Sequence, residues 1–400
     1  MTADQSQTQP HSPVINVAIV GGFKVAQAIQ QQQSFDYYRL KNLVPLTAGL
    51  LNVMTMADEQ AYVQIADAIA TVAQHFYPHQ QTYDYNAADP YYKTQLTTGY
   101  RHFFHCQDLP ADSVFFGCGS ADLFKTLLSF VLPAGVIIGP ALQYPEYVDY
   151  IRASGRQYLG VFTPKHSFPT QGILDGIDQH QQTCAAVLLD RPSNPTGQVV
   201  SVAELVQILQ AAATAKILVI VDEAYANYMP VAESAVNLLG QHQNLVLLRS
   251  NAKAYGIGSM RVGFLAFGSP AIAAQFAKVQ TPFCPDLFAV EFANYLFQQG
   301  DTFLDPLRYE IQQQKAELQQ RLMRLGFTCL PSHASISILM LHLPGHHLRE
   351  EFQREGVMIR DDSAYNAMLP AIDESYARLR VPLTSERRDR LIAAAARVAA

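Results

Sequence analysis

The sequence predicts an α/β protein that combines a large domain, built on a mostly parallel seven-stranded sheet, with a small α+β domain. Across the middle of the chain, short apolar runs alternate with longer segments of helical spacing, the pattern of parallel strands covered by helices on both faces. The later part changes to long amphipathic helices followed by short separated strands. The length of 400 residues also favours more than one core, because a typical domain has ~100–200 residues.

The strands of the large sheet are predicted from their apolar content. They are residues 113–117, 135–139, 157–162, 185–189, 217–221, 245–248 and 262–267. Helical spacing follows the first strand over 120–132, and it recurs over 202–215 with Ser201 as the predicted N-cap. These alternating elements define the predicted large domain.

The small domain is predicted from the remaining segments. One or two long helices should occupy about 285–325, and a final helix should follow Ser385. Strands are predicted at 335–341, 357–360 and 376–381. We expect a disordered tail at 1–13, the two parts of the small domain at 14–82 and 327–400, and the large domain at 83–326.

Composition excludes several classes of protein. Lys+Arg number 28 and Asp+Glu 34, so the net charge is 28 − 34 = −6, which argues against nucleic acid or an anionic membrane as the main partner. No apolar run approaches the ~20 residues of a membrane helix. Five scattered cysteines without a CxxC motif predict reduced thiols, and the polar start of the chain lacks the pattern of a secretory signal, so we expect a cytoplasmic protein.

The strongest chemical signal is the segment from Ser250 to Gly263, which directly follows a predicted buried strand. It contains Lys253, and a lysine at a strand end is costly to desolvate, which lowers its pKa and makes it nucleophilic toward an aldehyde. A surface lysine in a Gly-rich loop is the alternative for Lys253 alone. Ser250 and Arg261, three residues before and eight after it, are suitable phosphate donors and favour the first interpretation.

This SxxK segment, with Gly256 and Arg261 at positions +3 and +8, resembles the cofactor lysine segment of fold-type I pyridoxal 5′-phosphate (PLP) enzymes. It is most similar to class I/II aminotransferases and to their histidinol-phosphate aminotransferase branch. The resemblance extends over roughly residues 80–400. It implies the PLP-dependent transferase fold, a Schiff base between Lys253 and PLP, and an L-amino acid as the substrate.

Further motifs occur in the order that the family shows. Asp222, at the end of an apolar strand, resembles the carboxylate that keeps the pyridine nitrogen protonated, and Tyr225 resembles the tyrosine that binds the phenolic oxygen. Asn194, within an Asn-Pro-Thr-Gly sequence, is similar to the amide that binds the same oxygen. Taken alone, Asp222 could instead cap the next helix, and the Asn194 sequence could be an ordinary turn.

The phosphate and the ring of PLP have further candidate partners. A strand-to-helix turn ends at Ser120 and Ala121, where free N–H groups make an anion site. Tyr144 resembles the aromatic residue that stacks on the ring. Tyr85 resembles the tyrosine that reaches the phosphate of the neighbouring subunit, which implies a homodimer with a shared active site, although any one of 20 tyrosines could match by chance.

Candidate substrate ligands lie near both ends of the chain. Arg380 resembles the arginine that binds the substrate α-carboxylate, and Arg360 matches a second arginine of the family. Arg378 competes with Arg380, since strand alternation places both on one face. Gly49 is the candidate for a backbone contact with the substrate.

Two other functions remain open. The polar substrate-reading residues of the histidinol-phosphate branch are absent from 45–52, and Cys284 stands where the family often has Asn, so a PLP-dependent lyase or cyclase on the same fold is the alternative. An effector-sensing module of a transcription regulator is disfavoured, because 13 polar residues leave no room for a DNA-binding module. The histidines at 342, 346 and 347 lie in a Pro/Gly turn, and we predict no metal site.

Overall fold

The computed structural model describes residues 51–52, 61–76, 89–162, 167–281, 284–361 and 372–400, all within one compact unit that spans Gly49–Ala400. The described α-helices are α1 (Ala61–Phe76), α2 (Asp89–Phe103), α3 (Ser120–Phe130), α4 (Pro145–Ala153), α5 (Thr170–Gln179), α6 (Val202–Thr214), α7 (Pro270–Ala277), α8 (Leu287–Gln299), α9 (Leu304–Arg324), α10 (Leu348–Arg354) and α11 (Ser385–Val398). The described strands are β1 (Leu51–Asn52), β2 (Val114–Gly117), β3 (Val136–Pro140), β4 (Gln157–Val161), β5 (Cys184–Asp190), β6 (Leu218–Glu223), β7 (Leu245–Ser250), β8 (Gly263–Phe267), β9 (Thr328–Cys329), β10 (Ile338–His342), β11 (Val357–Met358), β12 (Arg360–Asp361) and β13 (Tyr376–Arg380).

The large sheet has seven strands in the order β2-β8-β7-β6-β5-β3-β4. The strands β4, β3, β5, β6 and β7 run parallel, while β8 pairs antiparallel with both β7 and β2. The predicted mostly parallel seven-stranded sheet is therefore confirmed. Its strands differ from the predicted bounds mainly where β6 and β7 continue into the polar residues Glu223 and Ser250.

Both faces of this sheet are covered by apolar side chains. Along β6, Val219 and Val221 belong to one buried cluster and Ile220 to the other. This follows from strand geometry, because successive side chains point to opposite faces and a sheet covered on both sides needs apolar residues at every position. At the start of α6, Ser201 and Glu204 form a reciprocal capping box, as the sequence predicted for Ser201.

A second, antiparallel sheet has the order β12-β13-β10-β9 and packs with α9, α10 and α11 around a separate apolar cluster. The short strand β1 pairs parallel with β11, so the beginning of the described chain meets its later part. The predicted tail 1–13 lies outside the described residues. The division of the chain near residues 82 and 326 stays a prediction.

The loop before β10 is fastened by a buried lysine of α9. Lys315 is 1% exposed, and its ammonium group donates to Ser332 Oγ (2.6 Å), to the His333 carbonyl (2.8 Å) and to the Ile336 carbonyl (2.8 Å). The backbone N–H of His333 in turn donates to the carbonyl of Gly197 at 2.9 Å. This loop therefore joins α9 to the segment that follows β5.

One expectation about the cysteines is wrong. Cys118 and Cys284 are joined by a disulfide, with their Cα atoms 6.2 Å apart, while Cys106, Cys184 and Cys329 are free thiols. Spacing along the chain could not reveal this pair because 166 residues separate its members.

Among the described helices, none combines the length and the apolar character required to cross a bilayer.

Candidate active site

Three neighbouring parallel strands end at one edge of the large sheet, and each end carries a candidate residue. Asp222 closes β6 and lies in register with Asp190 at the end of β5. Asn194 follows β5 and Lys253 follows β7. Because β6 lies between β5 and β7, the fold brings Asn194, Asp222 and Lys253 to the same edge, where open α/β sheets bind ligands.

Asp222 is a buried carboxylate that its surroundings keep available as an anion. Burial raises the pKa of Asp222 to about 6, and this rise is opposed by hydrogen bonds from Tyr147 and from the Ala224 backbone and by the charge of Lys253. The Ala224 N–H donates to Asp222 Oδ1 at 2.8 Å. At neutral pH the Asp222 carboxyl is therefore mostly ionised.

Asp190 is the second buried carboxyl at this edge. Burial and the charge of Asp222 hold the pKa of Asp190 well above its ordinary value, although the Tyr144 N–H donates to Asp190 Oδ2 at 3.3 Å. Two neighbouring buried carboxylates disfavour each other's ionisation. The negative charge of this pair is therefore favoured on Asp222.

Lys253 lies beside the ring of Tyr225. Its Nζ is 5.3 Å from the ring centroid, and its side chain is half-buried, so the amine faces the site without being sealed in the core. Tyr225 is buried and stacks on Tyr228 with the ring centroids 6.4 Å apart. The Tyr225 hydroxyl is thereby carried on a fixed ring next to the lysine.

The turn between β2 and α3, residues 117–121, is closely packed against β8. Gly119 has φ +95°, and α3 begins at Ser120, so the first N–H groups of this helix, at Ser120 and Ala121, have no partner within the helix. A Cβ at Gly263 would lie 2.3 Å from the Gly119 carbonyl carbon. Only glycine fits there, and the β2–α3 turn is held against β8.

Arg261 covers the same turn. Its Nη2 donates to the Cys118 carbonyl at 3.2 Å, and its guanidinium occupies the space that a Cβ on Gly119 would take. Ser250 lies opposite Gly263 in the β7–β8 pairing, and its Oγ accepts the Ala252 N–H at 3.1 Å. A guanidinium, a helix N-terminus and a strand-end hydroxyl thus lie on or next to this turn, and each is a group that can donate to an anion.

Tyr144 and Arg360 lie on another side of the site. Tyr144 precedes α4, and its ring meets that of Tyr147 edge-on at 5.2 Å between centroids. Burial raises the pKa of the Tyr144 hydroxyl, Glu146 raises it further, and the Arg360 guanidinium opposes the rise. The structure therefore places Arg360 within electrostatic range of Tyr144.

The two competing arginines of β13 are both buried, and they differ in what they contact. Arg378 Nη1 donates to Asn194 Oδ1 at 2.5 Å. Arg380, two residues further along the strand, pairs with Ile338 of β10. A guanidinium has only donors, so the oxygen of the Asn194 amide must face Arg378, and its Nδ2 is directed elsewhere as a donor.

Tyr147 was not predicted as a site residue, although it lies in the same short segment as Tyr144. Tyr147 is 1% exposed; its hydroxyl donates to the Asp222 carboxylate and lies 3.4 Å from Ser120 Oγ, with which it also hydrogen-bonds. One side chain thus links the β2–α3 turn to the buried carboxylate. Its position three residues after Tyr144, on the first turn of a helix, was the available signal.

A buried ion triad was also missed. Glu223 is fully buried and pairs with Arg191 at 3.1 Å and with Arg249. It also accepts hydrogen bonds from Ser234 Oγ (2.6 Å) and from the Ala235 N–H (2.7 Å). The charged residues at the ends of β5, β6 and β7 were visible in the sequence, and together they fasten the three strand ends that carry the site.

Gly49 and Tyr85 lie outside the described residues. The other sequence-predicted candidates converge at the carboxyl edge of the sheet or on β12 and β13 beside it.

Comparison with known proteins gives one family and several relatives. The model of the family "Aminotransferase class I and II" matches residues 51–394. Histidinol-phosphate aminotransferase 2 of Oceanobacillus iheyensis is 27% identical over 257 residues, 63% of this chain and 69% of the relative. A histidinol-phosphate aminotransferase of Acinetobacter baumannii (strain AYE) is 30% identical over 259 residues, 64% and 68% of the two chains.

The fold is shared with solved structures. The histidinol-phosphate aminotransferase from Sinorhizobium meliloti, solved in complex with pyridoxal-5'-phosphate, superposes with a TM-score of 0.70 at 18% identity, covering 88% of this chain and 91% of that one.

Proposed function

Because the chain belongs to the class I and II aminotransferases and is a PLP-dependent enzyme, we propose that it transfers the amino group of an L-amino acid at the sheet edge where Asn194, Asp222 and Lys253 meet. Their convergence at the ends of three adjacent strands is the observation that supports this proposal most. These residues fit PLP because they offer an amine for its aldehyde, a buried carboxylate for its ring nitrogen and an anion site for its phosphate.

The phosphate of PLP is proposed to lie at the β2–α3 turn. The N–H groups of Ser120 and Ala121 would donate to it, Arg261 would supply the positive charge, and Ser250 would add a hydroxyl. Tyr85 resembles the family tyrosine that reaches the phosphate of the neighbouring subunit, and it would be a further phosphate ligand. The close approach of Gly263 to Gly119 supports the proposal because it holds the backbone of the turn against β8.

The ring of PLP would be held by four side chains. When bound, PLP supplies an electron sink for the electron pair left on the substrate carbon, provided that its pyridine nitrogen stays protonated. Asp222 holds the negative charge needed at that nitrogen. Asn194 Nδ2 and the Tyr225 hydroxyl would donate to the phenolic oxygen, and Tyr144 would cover a ring face.

Lys253 is proposed to hold the cofactor covalently and to move the proton. Once the substrate amine has taken its place, the Lys253 Nζ accepts the proton from the substrate Cα as a general base.

The substrate carboxylate is assigned to Arg380, with Arg360 nearby, and Arg378 is assigned to orienting Asn194. The hydrogen bond from Arg378 to Asn194 supports this division, because it determines which end of the amide faces the ring. An Arg380→Lys variant should raise the KM for the amino acid strongly, since the bidentate contact is lost. An Arg378→Lys variant should instead change the cofactor's spectrum.

The deciding experiment is an assay of the purified protein with a panel of L-amino acids and histidinol phosphate, each with 2-oxoglutarate or pyruvate. Visible absorbance of the lysine-bound cofactor is expected in the wild type and not in Lys253→Ala. A new amino acid formed from the 2-oxo acid supports aminotransfer. Release of ammonia without an acceptor would favour the lyase or cyclase.

We further propose that the protein is cytoplasmic. We also propose that it is a homodimer with a shared active site, and this second proposal rests on the resemblance of Tyr85 to the family tyrosine that reaches the neighbouring subunit. Sedimentation at several concentrations measures the assembly. A second test mixes Tyr85→Phe protein with Lys253→Ala protein, because activity in the mixture requires that the two subunits exchange and complete each other's sites.

A further inference from the structure

The disulfide between Cys118 and Cys284 has no part in the reaction proposed above. Cys118 lies in the β2–α3 turn, and Cys284 lies two residues before Asp286, the N-cap of α8. Cys118 is exposed and Cys284 is half-buried, so small thiol reagents can reach the pair. The bond therefore joins the turn next to Ser120 to a segment 166 residues away in sequence.

A weaker contact holds the same two stretches together: the Gln280 side chain donates from Nε2 to the Phe116 carbonyl at 2.8 Å, just before the β2–α3 turn. From the segment after β7, Arg261 donates to the Cys118 carbonyl at 3.2 Å. These hydrogen bonds do not require the covalent bond, so reduction should loosen the turn without releasing it.

We propose that Cys118 and Cys284 form a reversible disulfide that locks the β2–α3 turn when oxidised and loosens it when reduced. The inference rests on the phosphate role proposed for Ser120 and Ala121, which follow Cys118 within three residues. A locked turn is already ordered before PLP binds, so binding loses less conformational entropy. Oxidation should therefore slow the release of PLP by about two- to tenfold, the range expected from preorganising a few groups.

The chemistry is thiol–disulfide exchange with a low-molecular-weight disulfide as the oxidant. The exposed Cys118 thiolate attacks one sulfur of the oxidant and expels one thiolate, which leaves a mixed disulfide. The Cys284 thiolate then attacks the Cys118 sulfur and expels the second thiolate. Two protein thiols lose two protons and two electrons, and the oxidant is reduced to two small thiols.

A metal site is the competing interpretation of the same place. One carboxylate oxygen of Asp122 lies with the two sulfur atoms in a group whose members are all within 4.8 Å of one another. Zinc binds such sulfur and oxygen ligands, but it needs free thiolates. Forming the disulfide consumes both thiolates, so the disulfide and the metal site exclude each other.

The first measurement counts thiols on the full-length holoenzyme. The protein is treated with oxidised glutathione or with dithiothreitol, denatured in iodoacetamide and weighed by mass spectrometry. Of the five cysteines, three should be alkylated after oxidation and five after reduction. Cys284→Ser should reduce the difference to at most one, seen as a glutathione adduct on Cys118, whereas the matched control Cys106→Ser should lose one alkylation in both states and keep the difference of two.

The second measurement follows the turn itself. Amide hydrogen exchange in a peptide spanning 117–121 should be slower in the oxidised form. The visible absorbance of bound PLP should also fall more slowly after dilution of the oxidised protein than of the reduced protein. Neither difference should survive in Cys284→Ser.

Three results would overturn the inference. Five alkylated cysteines after oxidation, or bound zinc that protects the thiols, would exclude the disulfide. Equal amide exchange in both forms would exclude the lock. Slower exchange with unchanged release of PLP would instead overturn the phosphate role of Ser120 and Ala121, so the two failures are distinguishable.

Discussion

Replacing Glu223 with glutamine tests whether the buried ion triad holds the strand ends. One carboxylate oxygen accepts from Arg191 and the Ala235 N–H, and the other accepts from Arg249 and Ser234 Oγ. Glutamine turns one of these oxygens into an amino group that donates. Whichever way the amide is oriented, it faces two donors, so two hydrogen bonds are lost and both guanidinium groups lose their anion.

The expected cost follows from this count. Breaking a buried ion pair by removing one charge costs about 3–5 kcal/mol, and we expect Glu223→Gln to lower the free energy of unfolding by about 4 kcal/mol. Native proteins have about 5–15 kcal/mol in total, so the variant should still fold at room temperature. Urea unfolding should show a lower midpoint at an unchanged slope.

The matched control is Glu350→Gln on α10. Glu350 pairs with Arg354 at 3.6 Å, but its side chain is 71% exposed, so the loss should stay below about 1 kcal/mol. Ser234→Ala is a milder probe of the triad, with an expected loss of about 1–2 kcal/mol. A Glu223→Gln protein as stable as the Glu350→Gln control would refute the reasoning.

Other predictions concern the site and its surroundings. Gly263→Ala should destabilise the protein by about 1–3 kcal/mol and weaken PLP binding, as measured by absorbance titration, because the new Cβ meets the backbone of Ser120 at 2.4 Å; Gly240→Ala, with nothing within 4 Å, is its control and should change neither. Asp222→Asn should lower kcat about a hundredfold or more because the charge at the ring nitrogen is lost; wild-type turnover would contradict the role proposed for Asp222. Burial lowers the pKa of Lys315 to about 7, whereas an unfolded lysine titrates near ~10.4. Between these pH values the unfolded chain binds the extra proton, so the free energy of unfolding should rise with pH in the wild type, and denaturant titrations of Lys315→Met should lack this increment.

Local patterns predicted the sheet well. Apolar runs located the seven strands, because buried parallel strands require apolar residues at successive positions. The residues after those runs, such as Asn194, Asp222 and Lys253, could be placed at one edge from the chain direction alone, since parallel strands end together.

Contacts between segments that are distant in sequence could not be predicted in the same way. Strand alternation puts Arg378 and Arg380 on one face, and only the packing of β13 against the loop after β5 determines which one meets Asn194. Lys315 lies in a polar-looking helix and resembles a solvent-exposed residue until the loop at 332–336 covers it. These outcomes depend on contacts between distant segments, which periodicity does not encode.

The hydrogen bond from Arg378 to Asn194 has a consequence for how the protein is made. Its two residues are 184 positions apart, so during synthesis Asp222 and Lys253 leave the ribosome well before the arginine that orients Asn194. A nascent chain that stops short of residue 378 carries the cofactor lysine and the buried carboxylate, but it lacks the group that determines which end of the amide faces the ring. The completed site therefore appears only in the last stage of translation, so premature termination leaves an unfinished enzyme.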